Sequence, residues 1–198
     1  AVRRQFAAAL QPSLRWWILA TLVHPVGFLL IGLRELVSDW WSTVLSNTLI
    51  GMAFAAFAIS LRLFNGSPQR RGRLYALVAA TALLSVWYTF VDDNDALRIG
   101  SNSVLYALLL GSSARSIYRR GQERTITGHI TGSMFLLGTA VMAWRGLVYM
   151  FFPDAIPYSA FAATPLQIAA YAAGGLLPVV STIGFLLMCT EFNQQELA

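Results

Sequence analysis

The sequence predicts an all-α membrane protein, a bundle of six transmembrane helices with both ends of the chain on the cytoplasmic side. Three observations carry this. Of 198 residues, 57% are hydrophobic and only 12% charged, whereas a soluble domain carries about 25% charged residues. Six apolar runs of about 20 residues, the length that crosses a hydrocarbon core of roughly 30 Å, consume nearly the whole chain. The loops between them alternate between basic and acidic. Mean hydropathy is +0.59, and no stretch is left over for a separate soluble domain.

The spans fall at 15–33, 41–63, 74–91, 97–117, 128–151 and 166–189. Each is expected to be a helix, because backbone amides in lipid find no water to bond. The first opens on Trp16 and Trp17 and carries His24-Pro25 near its middle, where the proline predicts a kink. The second begins at Trp40 and Trp41. The third closes on Trp87 and Tyr88, the fourth on Tyr118, and the fifth near Tyr149. Amphipathic rings favour such positions at the membrane–water boundary. Gly128 and Gly132 give the fifth span a G-x-x-x-G step for close helix packing, and Gly174, Gly175, Pro178 and Ser181 open the last span to contact or bending. The longest loop, 152–165 (FPDAIPYSAFAATP), has room for a short interfacial turn.

Charge orients the stack. Arg3, Arg4, Arg15, Arg62, Arg70, Arg71, Arg73, Arg115, Arg119, Arg120 and Arg124 fall on one side. The other side has Arg34, Arg98 and Arg145 with Glu35, Asp39, Asp92, Asp93, Asp95 and Asp154. The basic side is therefore expected to be cytoplasmic. The pI near 9.9 then reflects membrane orientation, and membrane lipid rather than nucleic acid is the expected partner. All 14 basic residues are arginine; without lysine a retinal Schiff base is excluded. Cys189, the lone cysteine, forms no internal disulfide and reads as a small buried hydrophobe.

Residues 1–13 read as a cytoplasmic or interfacial segment, 14–190 as the transmembrane domain, and 191–198 as the start of a helical linker toward a cytoplasmic domain. The chain starts at Ala1 rather than Met, which fits a loop following an earlier span. At the other end no proline or glycine stops the last helix as it leaves the bilayer. Cys189, Phe192 and Leu197 continue an apolar stripe there, a pattern expected to pair with a copy of itself in a homodimer.

Three stretches carry a resemblance: DWWSTVLSNTLIGMAFAAFAISLRLFNGSP at 39–68, WYTFVDDNDALRIGSNSVLYALLL at 87–110 and GFLLMCTEFNQQELA at 184–198. Together they resemble the multi-span membrane region N-terminal to GGDEF domains, the diguanylate cyclases of bacteria. That region has a short basic loop after the first stretch, a Tyr/Phe–Val–Asp–X–Asn–X–Ala–Leu–Arg pattern in the second, and a helical linker after the third. The resemblance implies a sensory and dimerisation module of the bacterial inner membrane, regulating an attached cyclase that makes cyclic di-GMP from GTP with Mg. It often includes one further span, making seven. The 198 residues contain neither a GGDEF signature nor a catalytic motif, so catalytic residues and cofactors are expected elsewhere. The competing reading is a small transporter or channel subunit, which usually shows inverted repeats and broken helices; here only His24-Pro25 hints at one.

Charge inside a bilayer is costly, about 2.5–3.5 kcal/mol for Arg at a helix centre. Arg98 and Arg145 lie at outer-half depths, as do Asn47, Asn102 and Gln167. The five are expected to line a pocket for a small anionic or lipid ligand, with Tyr88 and Trp144 as walls. The alternative is that Arg98 or Arg145 pairs with Asp92, Asp93 or Asp95 and staples neighbouring helices. His24 and His129 invite a haem or copper reading, but they differ in depth by roughly 8 Å at 1.5 Å per residue. His24 is expected instead to be buried and hydrogen-bonded, and no metal site is expected. A lipid-modifying enzyme would have only His129 and Glu123 for acid–base work.

Overall fold

Every described backbone segment that is long enough to matter satisfies its amides within a helix. The computed structural model describes residues 8–67, 71–118, 125–152 and 164–197. Arg3, Arg4, Arg70, Arg119, Arg120, Glu123, Arg124 and Asp154 lie outside them, as does most of the 152–165 loop. The helices are α1 (Gln11–Gly32), α2 (Ser46–Phe64), α3 (Gly72–Phe90), α4 (Asp95–Tyr118), α5 (Ile126–Phe151) and α6 (Pro165–Leu197). A short 3₁₀ turn, Ala8–Leu10, precedes α1, and a π-helical turn, Trp40–Leu45, leads into α2.

Among the described residues five segments, 8–32, 40–64, 72–90, 126–151 and 165–195, are long and apolar enough to cross a membrane. α4 is more polar, with Asp95, Arg98, Arg115 and several serines, and it sits between α2, α3 and α5. The sequence-based spans match these helices to within a few residues except at two ends. α1 starts at Gln11, because Pro12 occupies the first turn, where its missing N–H is no loss. α6 runs past 189 to Leu197. Neither Pro25 nor Pro178 ends its helix.

α2 is the axis of the bundle. In the most apolar 18-residue stretch of its span 72% of residues are buried, against 17% for that of α3, and it packs on α1, α3 and α4. α4 in turn packs on α5, and α5 on α6. The outside is apolar as well as the inside. Ile18, Leu22 and Leu29 of α1, Leu83 and Trp87 of α3, and Leu176 and Val179 of α6 point outward. Inside lie Ser60, Thr81, Ser85, Ser103, Ser113, Thr131 and Ser181, all fully buried. Small hydroxyl residues let helices approach and bond each other where the surroundings are apolar.

Two contacts set the spacing. Ser13 and Ser60 clasp α1 to α2, each hydroxyl donating to the other's backbone carbonyl at 2.8 Å. On α4 and α5, Gly100 and Gly146 meet face to face. A Cβ on Gly146 would lie 3.1 Å from the Gly100 carbonyl oxygen and 2.6 Å from Val104 Cγ2. The G-x-x-x-G step acts differently from the expectation. Gly132 makes room for the hydroxyl end of the Tyr118 ring, 2.8 Å from a virtual Cβ, rather than for a second backbone.

Caps and turns close the ends. The Asn94 side chain accepts from Leu97 N (3.0 Å) to start α4, and Thr125 and Thr164 do the same for α5 and α6. α2 ends with Gly66 at φ 58°. Gly66 N bonds Leu63 O and Ser67 N bonds Arg62 O (2.8 Å), the paired closure that needs a left-handed residue after the helix. Charged ends are segregated. Asp95 sits with Arg34 of the α1–α2 connection, while Arg62 reaches Ser112 (2.7 Å) and Arg71 lies over the Trp16 ring at the opposite end.

Backbone cannot yield as a side chain can, so Gly146→Leu is expected to cost about 1–3 kcal/mol. That should lower the midpoint of thermal unfolding in detergent by roughly 3–10 °C. Gly175→Leu, where a Cβ meets nothing within 4 Å, should leave the midpoint unchanged.

Candidate functional site

A cavity of about 80 Å³ opens among α1, α2, α4, α5 and α6 near the acidic end of the bundle. Helical spacing explains the α4 wall: Arg98, Asn102 and Tyr106 recur every fourth residue and share one face, and all three line the cavity. From α5 come Met142 and Arg145, from α6 Gln167, Ala170 and Tyr171, and from α1 Phe28 and Ile31.

The α2 wall depends on the π-helical turn. A widened turn shifts the side chains after it by part of a turn relative to a regular helix, and here it sets Ser42 and Thr43 into the cavity wall. Local bonds hold it. Ser46 Oγ donates to Ser42 O (2.5 Å), Asn47 Nδ2 to Thr43 O (2.7 Å), and Thr48 Oγ1 to Val44 O (2.7 Å). Asn47 then receives the Tyr106 hydroxyl at its carbonyl (2.8 Å) and at Oδ1 (3.0 Å), which ties α2 to α4.

The two arginines are handled differently. Arg98 is buried and donates to Asp95 on its own helix, to Tyr88 O (3.2 Å) and to Thr89 Oγ1 (3.3 Å). Asp95 also meets Arg34 at 3.6 Å, so this carboxylate joins α4 to the α1–α2 connection. Arg145 reaches only neutral groups: Gln167 Oε1 at 3.0 Å and Ser103 Oγ at 3.4 Å. Its guanidinium also lies over the Tyr149 ring, 5.7 Å from the centroid. Gln167 is held in turn by donating to the Tyr171 hydroxyl (3.0 Å). Three buried polar atoms on the cavity wall have no hydrogen-bond partner: Thr43 Oγ1, Asn102 Oδ1 and Arg145 Nε.

Asn47, Arg98, Asn102, Arg145 and Gln167 thus all border one cavity. The expected walls do not. Trp144 is 63% exposed and faces away from the bundle, since one residue along a helix turns the side chain by about 100° from Arg145. Tyr88 contributes its carbonyl to Arg98 but is not among the lining residues. Thr43, Tyr106 and Tyr171 line the cavity without having been anticipated. Tyr106 was findable from its spacing to Asn102; Thr43 was not, because its position follows from the π-helical turn.

His24 is buried, stacked 4.7 Å from Phe28 and 5.5 Å from Phe54. Its Nε2 has no hydrogen-bond partner, so ring packing rather than the expected carbonyl or hydroxyl holds it. His129 is exposed on α5 beside Tyr118. The two imidazoles therefore occupy unrelated environments. Among the described residues no group of three or more His, Cys, Asp and Glu side chains comes together.

Two residues of the apolar stripe expected on α6 pack within the chain. Cys189 is fully buried in the chain's own core, and Phe192 packs 5.9 Å from Phe64. Glu191 accepts from Thr127 Oγ1 (2.7 Å). Phe64 at the end of α2 thus gives Phe192 an apolar partner in the same chain.

Comparison of the chain with models of known families, with characterised proteins and with solved structures finds no match.

Replacing Gln167 by Leu removes the shorter of the two Arg145 contacts, and leaving a buried charged donor unpaired costs about 1–3 kcal/mol. Thermal unfolding in detergent should show that loss for Gln167→Leu, a smaller one when it is added to Arg145→Leu, and none for Trp144→Leu.

Proposed function

We propose that this chain is a multi-pass sensory module of the bacterial inner membrane, with six helices crossing the bilayer and both ends in the cytoplasm. In this reading it binds a small ligand in the α1–α2–α4–α5–α6 cavity. Through α6 it regulates an attached cytoplasmic diguanylate cyclase, which uses GTP and Mg. The apolar exterior supports the membrane placement, and the segregation of aspartates from arginines supports the orientation. The cyclase assignment is supported by the pattern at 87–110 and the helical exit at 184–198.

One observation carries the sensory reading: the cavity and the exit share a single helix. Gln167 and Tyr171 border the cavity at the start of α6, and the same helix continues unbroken for 33 residues to Leu197, about 50 Å at 1.5 Å per residue. Along the way it is gripped by the chain's inner half. Phe185 stacks on Trp17 at 4.0 Å, and Trp17 Nε1 donates to Thr182 Oγ1 (3.1 Å). A ligand that favours one pose of Gln167 over another shifts the balance of α6 poses by its differential affinity, and by no other means. Pairing of two chains, which the cyclase chemistry of the resembling family requires, then falls to the linker beyond Phe192, since Cys189 and Phe192 face inward.

The packing below the cavity argues against a channel. Phe54 and Tyr106 close it in an edge-to-face contact of 5.4 Å. Behind them Trp17, Phe57, Phe135 and Phe185 form a continuous ring cluster, all 0–2% exposed. A cavity backed by packed rings suits a receptor better than a conduit.

Expression of the gene product that contains this chain should raise cellular cyclic di-GMP above a vector control, and unchanged levels overturn the cyclase assignment. Reporter fusions at Gln195 should be active in the cytoplasm and those at Asp93 in the periplasm. The reverse pattern overturns the orientation.

A further inference from the structure

The charge around the cavity does not balance. Arg34 and Arg98 both lean on Asp95, and Arg98 is further committed to Tyr88 and Thr89. Among the described residues Arg145 has no carboxylate within 4.0 Å. A guanidinium keeps its charge at any accessible pH, and an amide and a hydroxyl orient that charge without neutralising it. Buried cations of this kind ordinarily have a counter-charge. The missing partner of Arg145 is therefore an anion, and the unpartnered atoms show where it would bind. Nε of Arg145 faces no acceptor, and neither Thr43 Oγ1 nor Asn102 Oδ1 has a partner, although both residues are only 3% exposed. The Asn102 amide bonds the Ser85 hydroxyl (2.9 Å), which can donate as well as accept. A half-turn of that amide keeps the Ser85 bond and offers Nδ2 to an anion.

Size and lining narrow the class. The cavity, about 80 Å³, is roughly half the volume of an apolar cavity that admits benzene, ~150 Å³. It excludes aromatic acids and suits a carboxylate with a short alkyl group. Phe28, Ile50, Phe54 and Met142 supply an apolar wall that a doubly charged, strongly hydrated ion such as phosphate or sulfate would not exploit. We infer that this cavity binds a short-chain monocarboxylate, its carboxylate between Arg145, Thr43 and Asn102 and its alkyl group against Phe28 and Phe54. This deepens the sensory reading and rests on it for its biological sense, but the binding itself is measured without any cyclase output.

Propionate titrated into the purified chain in non-ionic detergent tests it, followed by thermal unfolding and by calorimetry. Propionate should raise the unfolding midpoint with saturation. Propionamide, its neutral counterpart, should not, and Trp144→Leu should bind as the parent chain does. Arg145→Gln should weaken binding by about tenfold or more, and Thr43→Val by several-fold. Should Arg145→Gln fail to fold, the propionamide comparison and Thr43→Val decide. An equal shift with propionamide or with chloride overturns the assignment. So does binding of decanoate without binding of propionate, which would give the site to a lipid-derived carboxylate instead. Loss of this inference leaves the cyclic di-GMP measurement standing on its own.

Discussion

A polar group in this chain can be satisfied only inward. The outer surfaces of α1, α3, α5 and α6 are covered with Leu, Ile, Val, Phe and Trp, so hydroxyls, amides and guanidinium groups have to find partners within the bundle or go without. Most architectural features follow from this. Serines and threonines bond back to carbonyls of the preceding turn, as Ser46, Thr48, Thr81 and Thr139 do. Those that face a neighbouring helix bond across, as Ser13 and Ser60 do. Helices carrying such small residues approach closely, and α2, which contributes many of them along with alanines, becomes the buried axis.

The same constraint creates the cavity. At the acidic end five helices bring together long polar side chains that cannot all pair with one another. Arg98 is absorbed by Asp95 and two oxygens of α3. Arg145, the residue before the close helix contact at Gly146, meets only Gln167 and Ser103. The π-helical turn adds two hydroxyl residues to the wall without giving Thr43 a partner. Unpartnered buried atoms occur elsewhere too, at His24 Nε2, Asn65 Oδ1, the Tyr149 hydroxyl and Ser181 Oγ, but three of them, Thr43 Oγ1, Asn102 Oδ1 and Arg145 Nε, border this one space.

α6 links the two ends of the molecule by different kinds of contact. Its start is held by hydrogen bonds among Gln167, Tyr171 and Arg145, which are directional and respond to a change of partner. Its middle and end are held by rings: Trp17 on Phe185, and Phe64 on both Phe185 and Phe192. Such packing is broad and tolerant of small rotations.

Composition and hydropathy by themselves determined that this chain is helical and apolar enough to enter a membrane, and nearly where each described helix begins and ends. Those properties depend on single residues and their near neighbours, and the cost of an unbonded backbone in lipid leaves no other choice. Depth along each span was equally legible, which is why Asn47, Arg98, Asn102, Arg145 and Gln167 could be grouped before their contacts were known. Rotation about each helix axis was not. Near-uniform apolarity around α1, α5 and α6 gives no stripe to say which side faces in, so Trp144 was placed with Arg145. Only the tertiary structure decided those rotations. They are fixed by glycine contacts between helices, by the register change at Trp40–Leu45, and by rings such as Phe64 that lie far away in sequence.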